Sequence, residues 1–177
     1  LAVIIRDGIR RMYEEQEDVF YYVTIMNENY AMPAMPEGVK EGILKGMYRF
    51  KAGSDNSKPL VANLLGSGTI LNEVIRAAEM LEEKYGVSSN VYSVTSYKQL
   101  RQDALEAERY NMLHPDKKEK VPYVSTQIEN EGAIVAASDY MKAIPDSISK
   151  WLPKRLYALG TDGFGRSEAR AELRDFF

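Results

Sequence analysis

The stretch LVANLLGSGTILNEVIRAAEMLEEKYGVSSNVYSVTS (Leu60–Ser96) decides the fold, because it combines a strand, a helix and a second strand. Leu60–Leu65 is a short apolar run of strand length that ends at a Gly-Ser-Gly turn. Apolar residues then recur at three- and four-residue steps, which predicts an amphipathic helix that ends at Gly86. A second β-branched run, Val91–Thr95, follows. The stretch therefore predicts a βαβ unit with two parallel strands.

Downstream of this unit, helical and apolar segments continue to alternate. Ser96 and Gln99 have the spacing of a capping box for a helix that runs to about Met112. The later segments are two short apolar runs (Val121–Thr126 and Ala133–Ala137), a helical face over Tyr140–Trp151 with a kink at Pro145, and a last strand at Leu156–Leu159. The pattern predicts an α/β fold with a mainly parallel sheet covered by helices.

Upstream, Val19–Met26 (VFYYVTIM) is a continuous β-branched and aromatic run, typical of a strand buried on both faces. The following residues contain two prolines and no periodicity, which indicates a linker over residues 31–36. Glu37–Tyr48 has the pattern of a helix, and Phe50–Lys58 that of a polar turn. Both ends of the sequence lie inside helical patterns, so we expect the chain to be part of a longer polypeptide.

The composition excludes several classes of function. The 177 residues are 45% hydrophobic and 28% charged with a net charge of −3, which suits one globular domain with a piece of a second. The mild acidity argues against nucleic-acid binding. No apolar run approaches the length that crosses a membrane. Because there is no cysteine, thiol catalysis, disulfides and thiolate metal sites are excluded, and an intracellular protein is expected.

The most conspicuous candidate site is the glycine-rich loop Gly160–Arg166, between a strand and a helix, a setting that favours anion binding. Its glycine spacing differs from that of dinucleotide-binding loops, no P-loop lysine follows, and Asp162 would repel a phosphate. The structural interpretation is a sharp turn whose helix is capped by Ser167. Contact with an anionic ligand stays open as the alternative.

Three further features have ordinary structural interpretations. Gly66-Ser67-Gly68 also precedes a helix and suits a tight turn better than an anion site. His114, the sole histidine, ends a helix, where it interacts with the helix dipole. A hydrolase triad is disfavoured because no G-x-S-x-G motif is present. Paired glutamates, such as Glu82 and Glu83, lie on polar helix faces without metal-binding geometry.

A second candidate site follows the predicted strand Val19–Met26. Asn27, Glu28, Asn29 and Tyr30 can all form hydrogen bonds. They stand at the carboxyl end of that strand, where open α/β sheets place ligands. These four residues are therefore candidates for an active-site rim, with a polar turn into the linker as the alternative.

Five long motifs, in chain order MNENYAMPAMPEG, LLGSGTILNEV, YGVSSNVYSVTSY, ERYNMLHP and LGTDGFGRSEARAELRDFF, resemble the homodimeric-type first component of bacterial pyruvate dehydrogenase complexes. The resemblance covers essentially the whole chain and departs mainly at Pro145. It implies a transketolase-like subunit of three α/β domains. Residues 1–30 would end the middle, pyrimidine-binding domain, and residues 37–177 would form a C-terminal domain, incomplete at its end. That domain is a three-layer sandwich around a mainly parallel five-stranded sheet.

The resemblance also implies a function. Such an enzyme decarboxylates pyruvate with thiamine diphosphate and Mg²⁺, then reductively acetylates the lipoyl groups of a dihydrolipoyl acetyltransferase. It implies a homodimer in the bacterial cytoplasm. The family's Gly-Asp-Gly motif, activating glutamate and catalytic histidines belong to segments that this sequence lacks. No catalytic, cofactor-binding or metal-binding residue is therefore assigned to this chain, and the isolated chain is expected to be inactive.

The resemblance gives this portion a mainly structural role in dimer and domain packing and at the active-site rim. Phe164 and Arg166 are the interface candidates, because an aromatic residue beside an arginine is a common anchor. The alternative is a standalone accessory module of the same fold that binds an anion at Gly160–Arg166.

Overall fold

The structure is a computed structural model that describes residues 1–55, 60–128 and 130–176. Its strands are β1 (Met47–Lys51), β2 (Val61–Ser67), β3 (Ser88–Val94), β4 (Ala133–Ala137) and β5 (Leu156–Leu159). Its α-helices are α1 (Ala2–Ile9), α2 (Lys40–Lys45), α3 (Ile70–Tyr85), α4 (Tyr97–Leu113), α5 (Ala143–Asp146) and α6 (Arg170–Phe176). A π-helical turn (Arg10–Glu14) and two 3-10 turns (Tyr123–Thr126 and Ser149–Trp151) complete the helical elements of these residues.

The five strands form one sheet in the order β1-β3-β2-β4-β5. Strand β2 is central and pairs in parallel with β3 and β4, while β5 extends the sheet in parallel beyond β4. Strand β1 pairs antiparallel with β3 at the opposite edge. The predicted α/β fold with a mainly parallel five-stranded sheet is confirmed.

Separate apolar clusters cover the two faces of the sheet. Leu64 points to a face covered by α3, where it packs with Leu71 and Val74. Its neighbour Leu65 points to the other face, in a cluster with Leu100 of α4. Because both faces of β2 are covered, its residues form a continuous buried run instead of an alternating one.

The predicted βαβ unit is present, and its turns have physical reasons. A Cβ atom on Gly66 would lie 2.9 Å from the Leu71 Cα, so glycine lets α3 pack closely against β2. Gly86 ends α3 with a φ of +65°, a conformation that glycine adopts without strain. The Ser96 hydroxyl accepts a hydrogen bond from the Gln99 backbone N–H at 3.1 Å, which confirms the predicted helix cap.

The predicted strand at Val19–Met26 is wrong. These residues form no strand, and Phe20, Tyr22 and Ile25 are 77–86% exposed. A β-branched and aromatic run reports a preference for extended backbone, but a strand also needs a hydrogen-bonding neighbour. No described strand lies beside this segment.

Strand β1 was not predicted, because its residues were divided between a helix and a turn. The helix over Glu37–Tyr48 is shorter than expected: α2 ends at Gly46, whose φ of +105° suits only glycine. The Gly46 carbonyl accepts hydrogen bonds from the Thr95 and Ser96 N–H groups, which ties the corner to the end of β3. Part of the predicted turn Phe50–Lys58 belongs to β1, and residues 56–58 lie outside the described residues.

The helical face predicted over Tyr140–Trp151 is also shorter in the structure. Only α5 and a 3-10 turn form there, and Pro145 lies in the first turn of α5, where a missing N–H is tolerated. The apolar run Val121–Thr126 forms a 3-10 turn, whose Tyr123 hydroxyl donates to the Met47 carbonyl at 2.9 Å. The run Ala133–Ala137 is the strand β4.

A buried amide network connects β2, β3 and the loop before β4. The Asn63 Nδ2 donates to the Asn130 Oδ1 at 2.7 Å, and the Asn130 Nδ2 donates back to the Asn63 Oδ1 at 2.9 Å. The Asn90 Nδ2 adds a longer bond to the Asn63 Oδ1, at 3.4 Å. Asn63 and Asn90 are buried and Asn130 is half-buried, so the Asn63 amide is satisfied by other side chains at a position closed to water.

Helix α1 is joined to the extended segment by Tyr21, whose ring lies against Gly8. The Tyr21 hydroxyl donates to Asp7 and accepts from Arg11. Burial raises the pKa of Asp7, but the hydrogen bonds from Tyr21 and Arg10 outweigh it and hold the pKa below its usual value.

Among the described residues, no helix has the length and hydropathy to cross a bilayer.

Candidate functional site

The predicted rim residues Asn27–Tyr30 follow the extended segment as a bend in which Asn27, Glu28 and Asn29 are exposed and Tyr30 is half-buried. The Tyr30 hydroxyl donates a hydrogen bond to the Glu28 Oε2 at 2.9 Å, so the bend is closed by its own side chains. The expectation that these residues end a buried strand is wrong, for the reason given above. These residues are held in place by a contact with a distant segment of the chain.

That contact is Arg170, the first residue of α6. Its Nη2 donates to the Asn27 Oδ1 at 3.1 Å, and its Nε lies 2.7 Å from the Glu28 Oε1. The Nε–Glu28 contact is an ion pair without the alignment of a directed hydrogen bond. The structure thus joins two segments separated by 143 residues, a link that sequence reasoning missed. The only sequence signal for it was the opposite charge of the two side chains.

The linker after the bend is fixed to the sheet domain as well. The Asn72 side chain in the first turn of α3 donates to the Ala31 carbonyl at 3.2 Å and contacts the Met32 sulfur. The bend Asn27–Tyr30 is therefore held between two helices, α6 at its start and α3 just beyond its end.

The loop Gly160–Arg166 is bound to the segment that follows β4. The Thr161 hydroxyl donates to the Asp139 carbonyl at 2.9 Å. Asp162 accepts from the Lys142 backbone N–H at 2.9 Å and pairs with the Lys142 ammonium group at 3.0 Å. The backbone and side-chain hydrogen bonds from Lys142 hold the pKa of Asp162 below its usual value. An ionised carboxylate at this point opposes the binding of a phosphate.

The glycines of this loop have structural roles. A Cβ atom on Gly160 would lie 2.3 Å from the Tyr140 carbonyl oxygen, and Gly163 has a φ of +95°. The prediction that Ser167 caps the next helix is wrong, because α6 begins at Arg170. The glycines therefore do not lie directly before the N-terminus of a helix. This removes the main argument for an anion site in the loop.

The two interface candidates differ in their surroundings. Phe164 is 95% exposed, the largest exposed fraction among the large apolar side chains that the structure describes. The Arg166 guanidinium carbon lies 4.9 Å from the centre of the Phe176 ring, so Arg166 stacks on α6.

His114 and the acidic side chains are the remaining candidates. His114 ends α4, and its ring lies 4.6 Å from that of Tyr110. Within residues 1–55, 60–128 and 130–176, no group of three His, Asp or Glu side chains has the arrangement of a metal site. A Gly-Asp-Gly motif is also absent from the sequence. The described residues therefore do not fit a Mg²⁺-diphosphate group, and no chemical step is assigned to such a group on this chain.

The bend presents hydrogen-bonding side chains beside the ion pair of Arg170 and Glu28. Asn27, Glu28 and Asn29 are exposed, and the Glu28 carboxylate is shared between Arg170 and Tyr30. Such a surface can contact a polar substrate or a partner, but it contains no nucleophile activated by a neighbouring base.

Comparison with known proteins shows two matching families. The transketolase-like TK C-terminal domain matches residues 46–177, and the middle domain of the pyruvate dehydrogenase E1 component matches residues 1–33. Curated relatives named pyruvate dehydrogenase E1 component are 51% identical in Pseudomonas aeruginosa, 47% in Cupriavidus necator and 51% in Escherichia coli K12. Each alignment covers all of this chain and 20% of the relative, so the chain spans about a fifth of their length.

Proposed function

The chain belongs to the transketolase-like TK C-terminal domain family, and from that membership we propose that it is the C-terminal part of a pyruvate dehydrogenase E1 component. The supporting observation is the similarity of the whole chain to E1 components, at about 50% identity. The complete protein decarboxylates pyruvate with thiamine diphosphate and Mg²⁺ bound by its other domains. It then transfers the acetyl group to lipoyl groups of a dihydrolipoyl acetyltransferase, as a cytoplasmic homodimer.

In this proposal the chain is divided as the sequence suggests. Residues 1–30 end the middle domain, residues 31–36 are the linker and residues 37–177 belong to the C-terminal domain. The exposed apolar run Val19–Met26 supports this division, because an unpaired extended segment suits the edge of another sheet. The role of this portion is to pack the domains and the dimer and to supply the rim Asn27–Tyr30.

The function is tested by turnover. We expect the complete protein to reduce ferricyanide when given pyruvate, thiamine diphosphate and Mg²⁺. The 177-residue chain alone should show no turnover under the same conditions, because the proposed cofactor site lies in other domains. Turnover by the chain alone would contradict the proposal, as would a complete protein that does not act on pyruvate.

The rim is tested at Glu28 and Tyr30 in the complete protein. Replacing either with alanine should raise the KM for pyruvate, or slow transfer to lipoyl domains, because both side chains belong to the hydrogen-bonded bend. The matched control is Glu119→Ala, at an exposed acid in the loop after α4. If the Glu28 and Tyr30 variants keep wild-type kinetics and only melt at lower temperature, these residues are structural and the rim assignment fails.

The interface is tested by replacing Phe164 and Arg166 together with alanine. Because a fully exposed aromatic residue beside an arginine suits an interface anchor, the double variant should weaken dimer association by about 1–3 kcal/mol. Sedimentation equilibrium over a dilution series measures this change. Unchanged association would show that the two residues face solvent in the complete protein.

The second candidate function, an anion-binding accessory module, has less support. The ion pair between Asp162 and Lys142 occupies the loop that would hold the anion. Titration of ATP, NAD and diphosphate against the chain gives the opposing test. Saturable micromolar binding that is lost on replacing Gly163 and Gly165 with alanine would establish this second function.

A further inference from the structure

Arg170 differs from Glu168 and Arg166 in that it contacts a distant part of the chain. Glu168, two residues before it, accepts a hydrogen bond from the Ala169 N–H. Arg166 stacks on Phe176 within the same segment. Arg170 instead contacts two consecutive residues of the bend, through a hydrogen bond from its Nη2 to Asn27 and an ion pair between its Nε and Glu28.

The contact of Arg170 with two residues restricts their side-chain conformations as well as pairing opposite charges. The guanidinium is a rigid planar fork, so its contact with the Asn27 amide and the Glu28 carboxylate restricts both side chains at once. The Glu28 carboxylate keeps its other oxygen for the Tyr30 hydroxyl at 2.9 Å. Arg170 therefore orients three of the four bend residues, directly or through Glu28.

The loop that leads into α6, the helix that begins with Arg170, is itself held in place. The loop before α6 is held through Thr161 and Asp162 to the segment after β4, and α6 follows within a few residues. On the far side of the bend, Asn72 of α3 holds the linker at Ala31. The bend is thus held on both sides by groups of the sheet domain, and Arg170 is the charged one.

We infer that Arg170 is a positioning residue that sets the conformation of the bend Asn27–Tyr30, so that α6 controls the shape of the active-site rim. The link to the rim rests on the proposed function, whereas the link to the bend rests on the contacts alone. Arg170 acts through Glu28 and Asn27 and is not assigned any contact with substrate.

The test combines hydrogen exchange with kinetics in the complete protein. In Arg170→Gln, the amides of residues 27–30 should exchange about two- to fivefold faster, the range expected when a half-exposed ion pair is lost. The KM for pyruvate should rise by about the same factor, with kcat changed by less than about twofold. Arg170→Lys keeps the charge without the fork, so it should recover part of both effects.

Two further variants control the experiment. Arg101→Gln removes an exposed arginine from α4 and should change neither the exchange at residues 27–30 nor the KM. If Arg170→Gln does not fold, Glu28→Gln breaks the same ion pair from the other side and should give the same faster exchange.

The outcomes separate the two ideas. Unchanged exchange at residues 27–30 in both Arg170→Gln and Glu28→Gln overturns the inference. Faster exchange with unchanged KM and kcat overturns the role of Arg170 in positioning a rim. If the parent protein does not act on pyruvate, the proposed function fails, and the exchange rates alone decide whether Arg170 holds the bend.

Discussion

Replacement of Leu65 with alanine is expected to lower the free energy of unfolding by about 2–5 kcal/mol. Leu65 is fully buried on β2, the central strand, and its register partners are Tyr92 of β3 and Ala136 of β4. The lost stability is the sum of two free energies. One is the favourable transfer of the removed methyl groups out of water, and the other is the cost of a cavity that the neighbouring residues cannot fill. Urea denaturation followed by circular dichroism measures the change.

The matched control is Leu113→Ala at the end of α4, where the side chain is 58% exposed. This variant should change the free energy of unfolding by no more than about 0.5 kcal/mol. A loss at Leu65 below about 1 kcal/mol would mean that the sheet face covered by α4 is not tightly packed.

The second large effect is expected at Asn63. Alanine at this position removes the Asn63 acceptor of the Asn130 Nδ2, one acceptor of the Asn90 Nδ2, and one of the two donors to the Asn130 Oδ1, which keeps the Gly132 N–H. Because a buried polar group without a partner costs about 1–3 kcal/mol, we expect a total loss of about 2–4 kcal/mol. The loss is measured by the same denaturation experiment.

Asn63→Leu distinguishes lost hydrogen bonds from lost volume. Leucine has the same branched outline and removes no volume, so a loss similar to that of Asn63→Ala would show that an unfilled cavity is not the main cause. A double-mutant cycle with Asn130→Ala should be non-additive, with the double variant less damaging than the sum, since the two amides bond reciprocally. Additive losses, or a stable Asn63→Leu variant, would contradict this account.

The fold could be predicted largely from local pattern. The βαβ unit at Leu60–Ser96 is present with its helix, its Gly86 end and its Ser96 cap. These features are encoded within a few residues of one another, by helical periodicity and capping side chains. Strand β1 could not be predicted, because its residues continue directly from a helix and only one neighbouring strand covers this edge.

Local sequence pattern does not show which strands or side chains pair with one another. Val19–Met26 has every composition signal of a strand, but the described strands leave it unpaired. The sequence places Asn63 in an apolar strand, and nothing in it shows that amides at positions 90 and 130 lie beside it. The polar character of Asn27–Tyr30 is visible in the sequence, whereas their contact with Arg170 depends on the tertiary fold alone.

The unpaired segment Val19–Met26 also bears on how the chain behaves at high concentration. It is eight residues long, without charge, proline or glycine, and its aromatic side chains Phe20 and Tyr22 are more than four-fifths exposed. Uncharged runs of this length with strong β preference are typical starting points for cross-β aggregation when nothing covers them. Under the proposed domain division, a sheet that pairs with this segment would also protect it from amyloid-like self-assembly, and colloidal stability would then favour keeping both domains on one polypeptide.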